Sequence, residues 1–387
     1  MEEFIFDLCI LFVGSAILSC LAVLLKQPVI IAYILCGVLA GPLGLGWIKH
    51  AKFIEIISHL GITLLLFLAG LCLHPQKLIE LFKKTSLVTI INCVFSFILA
   101  FSFALVFRFP MIDSVCIALA LMFSSTILTI KLLPTTTLHQ KRMGSLCISV
   151  LILEDLLAIG VLALVRCMDT PEGVLISFST LLVKLIAFIA VLAIFERYVL
   201  RKIISYVDRI QEVIFVLGLA WCIGVATISH KLGLFFETGA FFAGVVLAQH
   251  KISLFISEEL KPLRDFFLVL FFFSLGAKLD LLIMKDIFLP AVLLASIIII
   301  LKPMVFKNAF IMVGEKKEFS KEIGTRLGQL SEFSILIALL AFDLGQISNR
   351  ASQFIQLVTI LTIIASSYLV VYKCPTPIGT SDKLIRD

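Results

Sequence analysis

Charge is scarce in this sequence: Asp, Glu, Lys and Arg make up 15% of its 387 residues while 61% are hydrophobic, where soluble domains carry roughly 25% and 45–50%. Polar stretches are scarcer still. None reaches the roughly 50 residues of a small soluble domain, which excludes a catalytic or nucleotide-binding module among these residues. CxxC pairs, HExxH, GxSxG and the P-loop pattern are all missing, and with them the signals of zinc, serine-hydrolase and phosphate sites. "GPLGLG" at 41–46 follows no soluble strand and opens no βαβ unit, so its glycines read as the close of a helix. The ten cysteines read as small apolar packing.

What fills the chain instead is a series of apolar runs of the length that crosses a hydrocarbon core as helix. They lie near 4–24, 28–47, 55–73, 86–107, 112–133, 144–166, 174–200, 210–229, 233–249, 263–280, 287–306, 321–343 and 351–372, each end uncertain by about four residues. This predicts an all-α integral membrane protein with about 13 transmembrane helices. "MEEFIFD" has no basic n-region, so the first run is expected to stay as a span and not to leave as a signal peptide. Placing the loops alternately gathers most Lys and Arg, among them Lys26, Lys83, Lys84, Lys141, Arg142, Arg201, Lys202, Lys316 and Lys317, on one side. The positive-inside rule then sets the N-terminus outside and the C-terminus in the cytoplasm. The net charge of +6 is read as topology, and no nucleic-acid partner is expected. Membrane lipid is.

Two halves of the chain echo one another. "CGVLAGPLGL" resembles "TGAFFAGVVL", and "LLLFLAGLCL" resembles "VLFFFSLGAKL". Gly70 against Gly276 gives an offset of 276 − 70 = 206, which also sets Ser125 against Ser331. An offset of seven spans makes the copies enter the membrane from opposite sides, the inverted-repeat pattern of secondary transporters. The expected arrangement is a single transport domain over 1–387: a first repeat at 4–166, a linker helix at 174–200 and a second repeat at 210–372.

In such folds the transported ion sits at the midplane, where helices are discontinuous. "FSSTILTIKLLP" at 123–134 and "GTRLGQLSEFS" at 324–334 are the polar candidates for the breaks. Ser124, Ser125 and Thr126 can bond freed backbone groups or offer oxygen to a hard cation. Gln329, Ser331 and Glu332 are their counterparts, and an acid such as Glu332 must face protein or water. Arg326 is a candidate partner for Glu332, or an anchor at the cytoplasmic side. The sharpest feature is "SVLILEDLLAIGVLAL" at 149–164, because an acid at mid-membrane costs roughly 2.5 to 3.5 kcal/mol. Glu154 and Asp155 point about 100° apart on a helix, so each needs its own partner. Lys302, deep in "SIIIILKPMVF", needs an acid; pairing it with one of the two leaves the other open. Burial favours the protonated form of that acid and a bound cation favours the ionised form, so proton and cation compete for one carboxylate. Glu237, Asp280 and Asp343, near span ends, are read as solvated at the interface. The scattered histidines hold no metal spacing.

At these residues the chain resembles the monovalent cation:proton antiporter-2 family, which includes bacterial sodium/proton exchangers and the glutathione-gated potassium efflux systems. The matching pieces are "ILCGVLAGPLGLG", "LGITLLLFLAGL", "SSTILTIKLL", "LILEDLLAIGVLAL", "GAFFAGVVLA", "FFFSLGAKLDL", "LKPMVF" and "GQLSEFSILIAL", in the family's order over about 28–342. The resemblance implies the sodium/proton antiporter fold, with crossed broken helices in two inverted repeats. It implies a homodimer whose core, here spans four to six and eleven to thirteen, slides as an elevator against a fixed dimerisation domain. It makes Asp155 the ion- and proton-binding aspartate, with Ser125 and Thr126 beside it, and Lys302 the partner of Glu154. Glu154 departs from the Gln usual in the potassium systems, which leaves the stoichiometry of charge movement open. Their nucleotide-binding domain has no counterpart among these residues, so gating by glutathione or dinucleotide has no visible site here unless a separate cytoplasmic regulatory subunit or a further C-terminal region supplies it.

The expected activity is exchange of sodium or potassium for protons, without a resident cofactor, in a plasma membrane or, for a bacterium, its inner membrane. The alternatives are a potassium efflux channel or uniporter, in which Asp155 only attracts cations, and a non-transporting sensor on the same scaffold. An intramembrane aspartyl protease would need its acids on separate helices with a GxGD motif, which is missing. No enzymatic activity is expected.

Overall fold

A backbone in hydrocarbon must satisfy its own N–H and C=O groups, and a chain this apolar does so as helix. The computed structural model describes residues 2–25, 27, 29–41, 44–48, 51–71, 75–133, 138–167, 174–207, 211–234, 236–248, 253–279 and 281–375; Lys26 and Asp280 lie outside the described residues. The helices in chain order are α1 (Glu2–Leu24), α2 (Val29–Ala40), α3 (Ala51–Leu71), α4 (Pro75–Val106), α5 (Met111–Ala120), α6 (Thr126–Lys131), α7 (Leu138–Cys167) and α8 (Val174–Phe195). They continue as α9 (Arg201–Val207), α10 (Gln211–Lys231), α11 (Phe236–Leu247), α12 (Ser253–Ala277), α13 (Leu281–Met312), α14 (Lys317–Arg326), α15 (Glu332–Asp343) and α16 (Asn349–Lys373). A π-helical turn, Glu196–Leu200, joins α8 to α9. Among the described residues seven helical stretches are long and apolar enough to cross a membrane, the longest being Ile283–Met312. The protein is an all-helical, multi-span membrane protein.

The chain divides into two compact units. The first comprises 1–20, 32–78 and 167–278, and is built on close helix crossings. A Cβ at Gly37 of α2 would collide with the Phe273 carbonyl of α12, and one at Gly276 of α12 with the Ile34 carbonyl of α2. The same reciprocal approach joins Gly70 of α3 to the Phe241 carbonyl of α11 and Gly244 of α11 to the Phe67 carbonyl of α3. In lipid, where no hydrophobic effect drives helices together, such small-residue contacts carry the packing. Gly37→Ala is therefore expected to lower thermal stability by about 1–3 kcal/mol. Gly160→Ala, where a Cβ meets open space, is expected to be neutral or stabilising. Melting of the two detergent-purified variants side by side checks this; equal behaviour would contradict the packing argument.

The second unit comprises 21–31, 79–166 and 279–387. Its apolar core joins Val88 of α4, Cys147 and Val150 of α7, Phe306 and Phe310 of α13, and Ile323 of α14. Two interruptions cut through it: α5 stops at Ala120 and α6 starts at Thr126, and α14 stops at Arg326 and α15 starts at Glu332. The second break lies inside the polar stretch 324–334, and the first overlaps the start of 123–134, the rest of which forms α6. Each restarting helix is capped by a serine: Ser125 Oγ accepts from the Leu128 N–H at 3.2 Å, and Ser331 Oγ accepts from the Phe333 N–H at 3.2 Å. At the far end of the unit the buried Asp113 of α5 accepts from both the N–H and the hydroxyl of Ser348, the N-cap of α16, at 3.2 and 2.5 Å, which clips two helix starts together.

Candidate functional site

A broken helix exposes carbonyls where it stops and N–H groups where it restarts, and each needs a partner. In the second unit the two breaks lie against each other, and four charged side chains are organised around them. Lys302 of α13, 1% exposed, donates its ammonium to the Phe123 carbonyl at 2.8 Å and to the Gln329 carbonyl at 3.4 Å. These carbonyls lie just beyond the C-terminal ends of α5 and α14, where partial negative charge gathers and a cation is favoured. Gln329 fastens the crossing: its amide donates to Thr129 Oγ1 at 2.8 Å and to the Ser125 carbonyl at 3.4 Å, and its oxygen accepts from Ser366 Oγ at 2.9 Å. The Leu330 N–H donates to Thr362 Oγ1 at 3.2 Å, so α16 supports the second break.

The adjacent acids of α7 are both buried but differ in their surroundings. Glu154 is fully supplied with donors: Oε1 accepts from Asn92 Nδ2 at 2.8 Å and Oε2 from the Ser124 N–H at 2.6 Å. The Lys302 charge acts on it as well. Lys302 thus reaches Glu154 through the first break, one donating to the carbonyl of Phe123 and the other accepting from the N–H of Ser124. Among the described residues Asp155 accepts only from Thr126 Oγ1, at 3.2 and 3.3 Å from its two oxygens, and it feels the negative charges of Glu332 and Glu154. A buried carboxylate with one neutral donor and two like charges attracts a positive charge, either proton or metal cation.

All nine residues singled out in the sequence, Ser124, Ser125, Thr126, Glu154, Asp155, Lys302, Gln329, Ser331 and Glu332, belong to the elements of this unit. Ser125 and Ser331 use their hydroxyls as caps. Ser124 acts on Glu154 through its hydroxyl as well as its N–H, whereas the buried Ser334 hydroxyl on α15 finds no hydrogen-bond partner among the described residues. Arg326 is not the partner of Glu332. Its guanidinium binds Glu322 one turn back at 2.8 Å, the Leu132 carbonyl at the end of α6 at 2.9 Å and the Pro375 carbonyl at 2.7 Å; the i, i+4 acid on its own helix wins because it is always within reach. Asn92 is the residue that sequence reasoning passes over. A lone amide in "TIINCVFSF" must find a partner in an apolar span, and that requirement was the available signal. Among the described residues no group of His, Cys, Asp and Glu is arranged to hold a resident metal.

The transmembrane family described as sodium/hydrogen exchanger matches residues 9–371. The chain is 28% identical over 356 residues to K(+) efflux antiporter 6 of Arabidopsis thaliana, a match covering 88% of this chain and 58% of that protein. It is 29% identical over 366 residues to the putative cation/proton antiporter YbaL of Escherichia coli, covering 91% and 65%. The chain thus spans less than two thirds of the length of these relatives. In three dimensions it resembles the sodium proton antiporter MjNhaP1 of Methanocaldococcus jannaschii, with a TM-score of 0.71 at 17% identity over 96% of both chains.

Proposed function

The chain belongs to the sodium/hydrogen exchanger transmembrane family, a family of cation/proton antiporters and not of enzymes, and from that premise we propose that it exchanges a monovalent cation, sodium or potassium, for protons by alternating access at Asp155. The observation that carries this reading is the contrast between the neighbours. Glu154 has two donors and a nearby ammonium, whereas Asp155 has one hydroxyl and the charge of Glu332 against it. Lys302 and Glu154 hold the crossing, and Asp155 trades its positive partner. A cation displaces the proton and a proton displaces the cation, so if the site crosses only when occupied, inward movement of one obliges outward movement of the other.

The finer architecture belongs to the same proposal. The offset of 276 − 70 = 206 carries α3 onto α12 and α2 onto α11, so it exchanges the two reciprocal glycine contacts, α2 on α12 and α3 on α11, with each other. Ser125 and Ser331, also at that offset, cap corresponding helices. Both support two inverted repeats, 4–166 and 210–372, about a linker at 174–200. The second unit gathers spans four to six and eleven to thirteen, the set the elevator reading assigns to the moving core; the first unit supplies the fixed dimerisation domain of a homodimer. The topology proposed is N-terminus outside and C-terminus cytoplasmic in a plasma membrane, with regulation by a cytoplasmic partner.

The test is proton flux in reconstituted vesicles titrated separately with sodium, potassium and lithium, at clamped and unclamped voltage. Saturable cation-driven pH change that favours one ion is expected. Cation flux without proton movement would instead establish a channel or uniporter, and no flux of either would leave the scaffold as a sensor.

A further inference from the structure

Outside the crossing, charged side chains gather at a cavity of about 410 Å³ lined by Ala193, Ile194, Glu196, Arg197, Tyr198, Arg201 and Val246. It is built on the π-helical turn Glu196–Leu200, where the Arg201 N–H reaches back five residues to the Glu196 carbonyl. Such an inserted residue inside a long helix is rare and is found mostly at functional sites. Glu196 is 3% exposed and binds the Arg201 guanidinium through both oxygens at 3.2 Å. A buried carboxylate thereby fixes one cationic wall of the cavity, and Arg197, one turn earlier, adds a second guanidinium whose charge Glu196 does not also neutralise.

We infer that this cavity binds the phosphate of an anionic phospholipid headgroup. The apolar stretch that carries it, Ser179–Tyr206, runs 28 residues, roughly 42 Å as helix against a hydrocarbon core of about 30 Å. Its charged end therefore projects into the headgroup layer, where Arg and Tyr are the favoured residues. A guanidinium fork such as that of Arg197 fits phosphate or carboxylate, and phosphate is the anion that the headgroup layer supplies. The approach to the cavity argues for a lipid over a free anion, because Val191, Ile194 and Phe195, just below it on the same helix, are all exposed and offer an apolar track for acyl chains. Val246 of α11 also lines the cavity, so an occupant would touch both the helix that carries Arg197 and α11 within the first unit.

Native mass spectrometry of the detergent-purified protein, with phosphatidylglycerol and phosphatidylcholine of identical acyl chains, tests this. Retention of phosphatidylglycerol over phosphatidylcholine is expected, weakened roughly tenfold in Arg197→Gln, which removes one charge-assisted hydrogen bond, and weakened less in Arg197→Lys, which keeps the charge but loses the fork. Equal retention of the two lipids by the parent protein would overturn the inference whether or not the variants fold. Retention unchanged in Arg197→Gln would move the lipid elsewhere and also overturn it. Inorganic phosphate competing as well as the lipid would reduce the cavity to a small-anion site, contrary to the proposal.

Discussion

Asp155→Asn, reconstituted in vesicles, is expected to carry no cation-driven proton flux above that of protein-free vesicles while remaining at least as stable as the parent. The substitution keeps the shape of the side chain and an acceptor for Thr126 Oγ1, the one hydrogen-bond donor to Asp155 among the described residues. It removes the charge that opposes Glu332 and Glu154. A buried charge without an opposite partner is costly, so its loss relieves the fold and the melting temperature should rise or hold. Addition of the transported cation should stabilise the parent by about 2.7 kcal/mol at a hundred times its dissociation constant and leave the variant unmoved. Flux and stability falling together would point to scaffold damage. Exchange that survives in a stable Asp155→Asn protein would sink the assignment of Asp155, and with it the competition of proton and cation for one carboxylate.

Charged residues were legible in the sequence because the background is so apolar: Glu154, Asp155 and Lys302 are conspicuous against 61% hydrophobic composition, and each must be buried among partners. The two helix interruptions were legible for a related reason, since Ser, Thr and Gln cluster where backbone groups are freed. What Lys302 binds was not. Its strongest contact is the carbonyl of Phe123, and a main-chain oxygen has no letter of its own in a sequence. Asn92 was hidden by being single and uncharged, although the rule that exposes buried acids applies to amides too. The division into two units came from the family resemblance and not from composition, because helices of both have the same apolar make-up and only their contacts separate them. Arg326 shows the opposite failure: Glu322, four residues away on the same face, was in plain view, but the more distant Glu332 drew attention by lying in the break.

Lys302→Met carries the largest expected loss of stability, about 3–5 kcal/mol, because it leaves Glu154 as a buried acid without its countercharge. If the loss were electrostatic alone, adding Glu154→Gln would restore the parent's stability. The geometry sets a different expectation. Lys302 also supplies the donor for the Phe123 and Gln329 carbonyls, and those remain buried and unpaired in the double variant, at about 1–3 kcal/mol. Gln at 154 still accepts from either Asn92 or the Ser124 N–H, but its amide then faces the other donor. Recovery in Lys302→Met with Glu154→Gln should therefore be partial, and a double-mutant cycle on unfolding free energy isolates the coupled part. Full recovery would mean that the carbonyl contacts contribute nothing. No recovery would mean that the two charges are independent and that Lys302 serves the helix breaks alone, which would leave Glu154 free to change protonation during transport. The cycle therefore bears on charge movement as directly as on the fold: an ionised Glu154 tied to Lys302 leaves Asp155 to carry the exchange alone, whereas an uncoupled Glu154 adds a second carboxyl to the stoichiometry.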